Sequence, residues 1–168
     1  MDGPFPLRLF IALALPEEYQ QAMANLCQEI RSRFGPKLPR IRWTRPGNWH
    51  LTLKFLGDVD EEALPRLSMA LGKVLLPPFS LQAGGAGFFP PAKAGREPNP
   101  RVLWTGLEKG GKEAFALAMQ MEEALHPLGF PREKRSFSPH LTLGRIKQGR
   151  GKVPHGVPWT KVLEIVEE

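Results

Sequence analysis

Short stretches of the chain alternate between apolar and polar residues, which is the period of a β-strand with one buried face. Leu7–Leu15 is the clearest example, because its leucines and Ile11 occupy every second position. Together with shorter apolar runs, this pattern predicts seven strands: Leu7–Leu15, Arg40–Thr44, Trp49–Leu56, Phe79–Ala83, Arg101–Leu107, Phe137–Ile146 and Trp159–Val166.

Three longer segments have apolar residues at helical spacing instead. The first helix is predicted to begin at Pro16, which suits a first turn, and to end at Gly35. The second and third helices are predicted over Asp60–Leu75 and Lys112–Leu128. Two segments rich in glycine, proline or basic residues are predicted to be loops: Gly84–Pro100, with a little strand at its start, and Gln148–Pro158.

Consecutive strands occur between the predicted helices, in the order strand, helix, two strands, helix, two strands, helix, two strands. This order predicts an α+β fold with largely antiparallel sheets rather than a doubly wound parallel sheet. The length of 168 residues suits one domain or two small intertwined lobes.

The composition indicates a globular protein, and its charge fits either an anionic partner or a protein that is basic without such a partner. Apolar residues make up 42% and charged residues 24% of the chain, both near ordinary globular values. Lys and Arg number 23 against 17 Asp and Glu, which gives a formal net charge of +6. A basic surface favours nucleic acid as the partner.

The chain is expected to be cytoplasmic and to have no membrane partner. It contains no apolar run of about 18 residues, the length needed to cross a bilayer. The N-terminal segment lacks the basic region of a signal peptide. Cys27 is the only cysteine and cannot form a disulfide within the chain, which fits a reducing compartment.

One tetrapeptide occurs twice: His50-Leu51-Thr52-Leu53 and His140-Leu141-Thr142-Leu143. Each copy lies in a predicted strand, where residues two apart point to the same face. The leucines, and Phe55 two residues beyond the first copy, therefore point to a core, and the histidine and threonine of each copy point to a surface or cleft. Two copies in separate halves predict one cleft that holds two imidazoles and two hydroxyls.

This set of groups suits in-line displacement at phosphorus without a metal. Imidazoles with an ordinary pKa of ~6.5 can be held in opposite protonation states near neutral pH, so one acts as base and the other as acid. Threonine hydroxyls can donate hydrogen bonds to the oxygens on which charge develops.

A metal site and a cysteine nucleophile fit the sequence less well. Two histidines are too few for a stable zinc site, and neither copy has a cysteine or carboxylate beside it in sequence. Cys27 lies within a predicted helix beside its apolar face, which is typical of a structural thiol.

The repeat and its surroundings resemble the 2H phosphoesterase superfamily, and within it the bacterial and archaeal 2'-5' RNA ligase group. The matching blocks follow in order over nearly the whole chain: Arg8–Ala12, Asn48–Gly57, Pro100–Trp104 and Ser138–Arg145. The resemblance implies a single bilobal α+β domain over residues 1–168, in which each lobe places one repeat strand on a central cleft, with helices outside.

The resemblance also implies an activity: hydrolysis of a terminal RNA 2',3'-cyclic phosphate to a 2'-phosphate, with no metal and no cofactor. By analogy His140 is the proton acceptor that activates water, and His50 is the proton donor to the departing 3' oxygen. Thr52 and Thr142 would hold the phosphate oxygens. Joining of the cyclic end to a 5'-hydroxyl, without ATP, is the same displacement with RNA in place of water.

Several flanking residues are candidates for substrate binding, each with a structural alternative. Lys54 shares strand parity with His50 and either borders the cleft or is a solvated strand lysine. Simple alternation places Arg145 opposite His140, so it reaches the phosphate only if Gly144 permits a bulge. Phe10 either stacks on a base or packs in the core.

The basic residues before the second repeat, Arg132, Lys134 and Arg135, either bind RNA phosphates or form a solvated loop. The Gly84–Pro100 loop could cover the cleft and, through Phe88 and Phe89, offer a stacking surface.

Two other functions are consistent with the sequence. One is an RNA-binding module that binds without turnover, although both intact copies of the repeat argue against it. The other is a phosphodiesterase that acts on a small cyclic nucleotide phosphate. The first interpretation has RNA ends as the substrate, and tRNA fragments are among these. Nothing in the sequence requires more than a monomer.

Overall fold

The computed structural model describes residues 6–92, 98–147 and 156–167. Its strands are β1 (Leu7–Ala14), β2 (Ile41–Trp43), β3 (His50–Val59), β4 (Gln82–Phe89), β5 (Val102–Lys109) and β6 (Leu141–Ile146). Its α-helices are α1 (Glu17–Phe34), α2 (Leu64–Leu71), α3 (Gly111–Leu125) and α4 (Trp159–Glu167). Helices and antiparallel strand pairs in one chain confirm the predicted α+β class.

The described residues divide into two compact units, each assembled from three separate stretches of sequence. Unit 1 comprises the described residues up to Leu13, Leu51–Leu81 and Lys109–Pro139. Unit 2 comprises Ala14–His50, Gln82–Glu108 and the described residues from His140 onward. The expectation of one bilobal domain over residues 1–168 remains a prediction.

Unit 1 buries the apolar face of the two-stranded sheet β1-β3 against helices α2 and α3. Leu53 of β3 lies in one buried cluster with Leu117 of α3. Val59, at the end of β3, lies in a second cluster with Leu67 of α2 and Leu125 of α3. Burial of a side chain of this size contributes about 1.5–3 kcal/mol, so these clusters fix the face that β3 turns to the core.

Unit 2 contains a four-stranded sheet in the order β2-β6-β5-β4, in which β6 is antiparallel to β2 and to β5. Helix α1 contacts α4, and α4 packs on β4. The thiol of Cys27 in α1 lies 3.8 Å from the carbonyl oxygen of Leu143. The Phe88 ring of β4 meets the Trp159 ring of α4 at 5.9 Å between centroids. The helices therefore cover the sheet face that buries Leu143, and Thr142 belongs to the opposite face by alternation.

One extra residue interrupts the pairing of β6 with β5. Consecutive residues of β5, Leu103 and Trp104, are paired with Gly144 and Thr142, so Leu143 is the extra residue of a bulge. A bulge shifts the alternation of the residues beyond it. Accordingly, Leu143 is buried and Arg145 is exposed. Arg145 was expected to reach the face of the second repeat only if a bulge occurred near Gly144. The bulge is present, and Arg145 shares a face with Thr142.

The last predicted strand is wrong, because Trp159–Glu167 forms helix α4. The buried residues of α4 recur at helical spacing: Trp159, Val162, Ile165 and Val166. Periodicity alone does not separate a strand from a buried helix in an apolar run this short.

The little strand predicted at the start of the Gly84–Pro100 segment is present and is longer than expected, because β4 continues to Phe89. Its glycines serve the sheet rather than a turn. A Cβ on Gly87 would clash with the Trp104 ring, which crosses over the strand at this point. Residues 93–97 of this segment lie outside the described residues.

Other boundaries differ by a few residues. Strand β3 continues beyond Gly57, and β6 begins only at Leu141, after Pro139. The second predicted helix is shorter, because a 3-10 turn precedes α2 and Gly72 follows it. The third helix ends at Leu125 and continues as a 3-10 turn. The predicted strand over Phe79–Ala83 begins at Gln82, and most of the Gln148–Pro158 loop lies outside the described residues.

Candidate active site

His50 is the first residue of β3 and is half-buried. Its Nδ1 lies 2.8 Å from the carbonyl oxygen of Asn48. Because a carbonyl oxygen only accepts, Nδ1 carries the hydrogen of this bond. Nε2 is therefore the ring nitrogen that carries no hydrogen in the neutral imidazole.

A buried glutamine of α1 fixes the turn that precedes His50. The side-chain oxygen of Gln20 accepts hydrogen bonds from the backbone N–H groups of Gly47 (3.0 Å) and Trp49 (3.2 Å). Its Nε2 donates to the carbonyl oxygens of Trp49 (2.8 Å) and Leu15 (3.3 Å). Gln20 is only 4% exposed, and its two bonds to Trp49 are buried. The role of Gln20 was not predicted from the sequence, since a polar residue in an amphipathic helix is ordinarily assigned to the solvent face.

His140 lies against two aromatic rings of unit 2. Its ring meets Phe89 of β4 nearly at a right angle, with centroids 5.0 Å apart and an interplanar angle of 76°. The ring centroid of Trp104 in β5 lies 6.2 Å from that of the imidazole and 5.3 Å from that of Phe89. The Trp104 ring rests on the bare backbone of Gly87. Phe89 therefore belongs to the surroundings of His140 rather than to a loop that covers a cleft.

The Trp104 ring contributes through its aromatic surface and not through its indole N–H. Its indole N–H is buried and has no acceptor among the described residues. An unpaired buried donor costs about 1–3 kcal/mol. Trp104 thus contributes an aromatic surface beside His140 rather than a hydrogen bond.

Thr142 is half-buried and is paired with Trp104 across the strands. The hydroxyl of Thr44, just beyond β2, donates to the backbone oxygen of Thr142 at 2.8 Å. The backbone N–H of Thr44 donates to the oxygen of Leu143 at 2.9 Å. Residues on both sides of β6 thus hold the second repeat in place.

The two repeats have the same burial over six positions. In each, the leucines and the residue after the second leucine are buried, the histidine and threonine are half-buried, and the sixth residue is exposed. The sixth residues are Phe55 and Arg145. Phe55 was expected on the core face beside Leu51 and Leu53, and this expectation is wrong because its side chain is 67% exposed. Alignment of the two repeats beyond the tetrapeptide would have shown that Phe55 occupies the same position as Arg145.

Phe55 lies beside Phe10 of β1, with ring centroids 6.1 Å apart. Phe10 is itself 46% exposed, so core packing does not describe it. The pair presents aromatic surface to solvent in unit 1.

Lys54 is not a solvated strand lysine, which was the structural alternative to substrate binding. It is 5% exposed and forms a buried ion pair with Glu122 of α3. Its ammonium group also donates to the carbonyl oxygen of Pro131 at 2.8 Å. Glu122 in turn accepts from the backbone N–H of Glu133 at 3.3 Å. Phosphate binding by Lys54 remains a prediction, and it would compete with this pair.

The segment that Lys54 anchors carries the predicted RNA-binding cations. Arg132, Lys134 and Arg135 are exposed. Arg132 forms an exposed ion pair with Glu123 at 2.7 Å. The Glu133 carboxylate accepts from the backbone N–H of Arg135 at 3.2 Å. Contact of Arg132 and Arg135 with RNA remains a prediction.

The structure places His50, His140 and Thr142 in unit 2, whereas Thr52, half-buried in β3, belongs to unit 1. The shared cleft therefore remains a prediction. Within the described ranges, no three His, Cys, Asp or Glu residues cluster as metal ligands do. None of the described helices has the length and apolar character needed to cross a membrane.

Comparison with known proteins places these features in a family. A family model described as LigT like Phosphoesterase matches residues 13–104. The RNA 2',3'-cyclic phosphodiesterase of Archaeoglobus fulgidus is 35% identical over 147 residues, which cover 88% of this chain and 77% of that protein. The protein of the same name from Thermus thermophilus is 35% identical over 164 residues, with 91% and 77% covered.

Solved structures show the same similarity. The crystal structure of TT0787 of Thermus thermophilus matches with a TM-score of 0.66 and 31% identity, over 88% of this chain and 79% of that one. The structure of E. coli LigT complexed with 3'-AMP matches with a TM-score of 0.65 and 28% identity, over 89% and 78%. These matches confirm the resemblance that the repeat and its flanks indicated.

Proposed function

This chain belongs to the LigT-like phosphoesterase family, and on that premise we propose that it hydrolyses RNA 2',3'-cyclic phosphate ends to 2'-phosphomonoesters. The observation that carries the proposal is the duplicated His-Leu-Thr-Leu strand. Both copies bury their leucines and leave the histidine and threonine half-buried. Relatives of this family that are similar over most of the chain are named RNA 2',3'-cyclic phosphodiesterases.

In the proposed reaction, His140 accepts a proton from water as the water oxygen attacks phosphorus. The bond between phosphorus and the 3' oxygen breaks, and His50 donates a proton to that oxygen from Nε2. The products are a 2'-phosphate and a 3'-hydroxyl, so one water is consumed. The bond from Nδ1 of His50 to Asn48 supports this role, because it leaves Nε2 as the proton-transfer atom.

Thr52 and Thr142 donate hydrogen bonds to the non-bridging oxygens as negative charge develops on them. Arg145 shares a sheet face with Thr142 and is exposed, which supports a bidentate contact with the same phosphate. Each such donor typically lowers the barrier by about 2.7–4 kcal/mol.

The exposed pair Phe10 and Phe55 supports binding of a nucleobase by stacking. Single-stranded nucleic acids bind aromatic side chains in this way, at about 1–3 kcal/mol per base. Cytoplasmic RNA ends, tRNA fragments among them, are the proposed substrates of a monomeric enzyme. Joining to a 5'-hydroxyl would use the same groups and stays a prediction.

The test is an assay on a short RNA that ends in a 2',3'-cyclic phosphate, after treatment of the enzyme with a chelator. We expect turnover to a 2'-phosphate, located by ³¹P NMR. His50→Ala and His140→Ala should each remove nearly all turnover, whereas His126→Ala, which alters an exposed histidine after α3, should not.

Retained turnover in both His50→Ala and His140→Ala would overturn the mechanism. Tight RNA binding without turnover by the unaltered protein would favour the binding module. Turnover of small cyclic nucleotides alone would favour the small-substrate enzyme.

A further inference from the structure

The exposed face of β2 and β6 carries four cations in two rungs, with the rung of Ile41 and Ile146, which faces the other way, between them. Arg42 is paired with Arg145 across the two strands. Two residues further along each strand, the backbone N–H of Lys147 donates to the oxygen of Arg40 at 2.8 Å. All four side chains are exposed. Residues that face each other across strands point to the same side, so these four form one patch, which we call the basic ladder.

The basic ladder brings like charges together without compensation. Cations placed directly opposite each other on neighbouring strands destabilise a sheet. None of the four forms an ion pair with a carboxylate in the described part of the chain, where the ion pairs lie elsewhere. The sequence itself contains no Asp or Glu in residues 35–57 or 134–163. An arrangement of this kind is stabilised when a polyanion binds to it.

The basic ladder is continuous with the second repeat. The bulge at Leu143 places Arg145 on the face of Thr142, and the ladder extends from Arg145 to the end of β6. A strand rises about 3.3 Å per residue, so Arg145 and Lys147 lie about 6.6 Å apart along it. The ladder therefore begins at the candidate site and leads away from it.

We propose that the basic ladder binds the phosphodiester backbone of the RNA next to its terminal cyclic phosphate. This inference rests on the proposed function, and it makes an oligonucleotide, rather than a mononucleotide, the preferred substrate. Arg42 and Arg40 offer planar donors that fit phosphate oxygens, and Lys147 offers a point charge. Contacts of this type are independent of base sequence and weaken as salt rises.

The test compares two substrates, adenosine 2',3'-cyclic phosphate and an RNA octamer with a 2',3'-cyclic end. In the double variant Arg42→Gln/Lys147→Gln, we expect the KM for the octamer to rise about tenfold with kcat unchanged, since two charge-assisted contacts are lost. The kcat/KM for the mononucleotide should not change. The slope of log KM against log salt should become shallower by about 1.4, at ~0.7 for each contact with a single strand.

Lys161→Gln is the matched control. It removes one exposed positive charge from α4, the helix that packs on β4 through the other face of the sheet. It should change neither substrate's kinetics. Loss of the same factor for octamer and mononucleotide, or no loss for either, would overturn the proposal while the hydrolase assignment stands.

If the unaltered protein hydrolyses no cyclic phosphate at all, the proposed function fails and the ladder is tested by binding. The probe is then an RNA octamer with a 3'-hydroxyl end, titrated at several salt concentrations. A weaker affinity and a shallower salt slope for Arg42→Gln/Lys147→Gln, but not for Lys161→Gln, support the ladder. Equal affinities overturn it.

Discussion

Phe89 holds the imidazole of His140 in an edge-to-face contact, with ring centroids 5.0 Å apart. The residue before it, Phe88, points to the other side of β4 and packs on Trp159. Two consecutive phenylalanines therefore contact opposite faces of one sheet. Phe88 contributes to the core beneath α4, and Phe89 positions the proposed catalytic base.

Replacement of Phe89 by leucine should lower kcat about tenfold or more, because a small misplacement of a catalytic group can cost up to about 100-fold. The melting temperature should change little, since the ring lies outside the core. Phe88→Leu is the control, because it removes a buried ring and should lower stability by about 1 kcal/mol while kcat is kept. Steady-state kinetics and thermal melts of both variants check this. Equal kcat in the two variants would contradict a positioning role for Phe89.

Replacement of Gln20 by leucine should lower both stability and kcat. The variant leaves the N–H groups of Gly47 and Trp49 without their acceptor, and an unpaired buried group, here the N–H of Trp49, costs about 1–3 kcal/mol. The turn that orients His50 loosens as a result. Gln21→Leu is the matched control, because Gln21 is exposed and bonds only Asn25 within α1. Urea unfolding and kcat are the measurements, and a Gln20→Leu enzyme with unaltered kcat would show that the turn orients His50 unaided.

Replacement of Lys54 by methionine should lower the free energy of unfolding by about 3–5 kcal/mol, because it leaves the Glu122 carboxylate buried without its partner. The double variant Lys54→Met/Glu122→Leu should recover most of that loss. Its kinetics then decide the role of Lys54. If KM for the cyclic end is unchanged in the stable double variant, Lys54 anchors the segment after Pro131 and does not bind phosphate. A large rise in KM would support substrate binding instead.

The thiol of Cys27 should be unreactive in the native protein. Burial raises its pKa from 9.0 to about 12, against a smaller lowering effect of Arg31. Thiolate is the reactive form, so modification by a disulfide reagent at pH 8 should proceed only as fast as the protein opens. Rapid modification of the folded protein would show that this part of α1 is accessible.

The same pKa sets a dependence of stability on pH. The folded state retains the Cys27 proton up to a higher pH than the unfolded state, so the stabilisation is complete below pH 9.0 and is lost as the pH rises toward about 12. The slope is at most about 1.4 kcal/mol per pH unit. Unfolding of the native protein and of Cys27→Ala across this range isolates the contribution, because other titrating groups are common to both. Parallel pH curves would contradict it.

The sequence predicted the features that depend on local pattern. The repeated tetrapeptide identified the candidate site, and alternation correctly buried Leu51 and Leu141. The α+β class followed from the order of the predicted elements, and the family followed from blocks of residues along the chain. These features could be predicted because each depends on patterns that are local in sequence.

Features that depend on neighbouring strands could not be predicted in the same way. Phe55 is exposed because the strand alternation changes after Leu53, and Phe89 belongs to a strand whose glycines suggested a loop. Helix α4 was assigned as a strand because its apolar run is short. Gln20 required the turn at Gly47 to be seen beside it.

The order of strands in unit 2 has a consequence for synthesis on the ribosome. Strand β6 lies between β2 and β5, yet it is the last of the described strands to be made. While residues 1–140 are emerging, β2 and β5 have no strand between them, and the second histidine repeat has not been completed. Strand β5 can pair with β4 as soon as it is made, but β2 cannot join them until β6 inserts between strands made well before it.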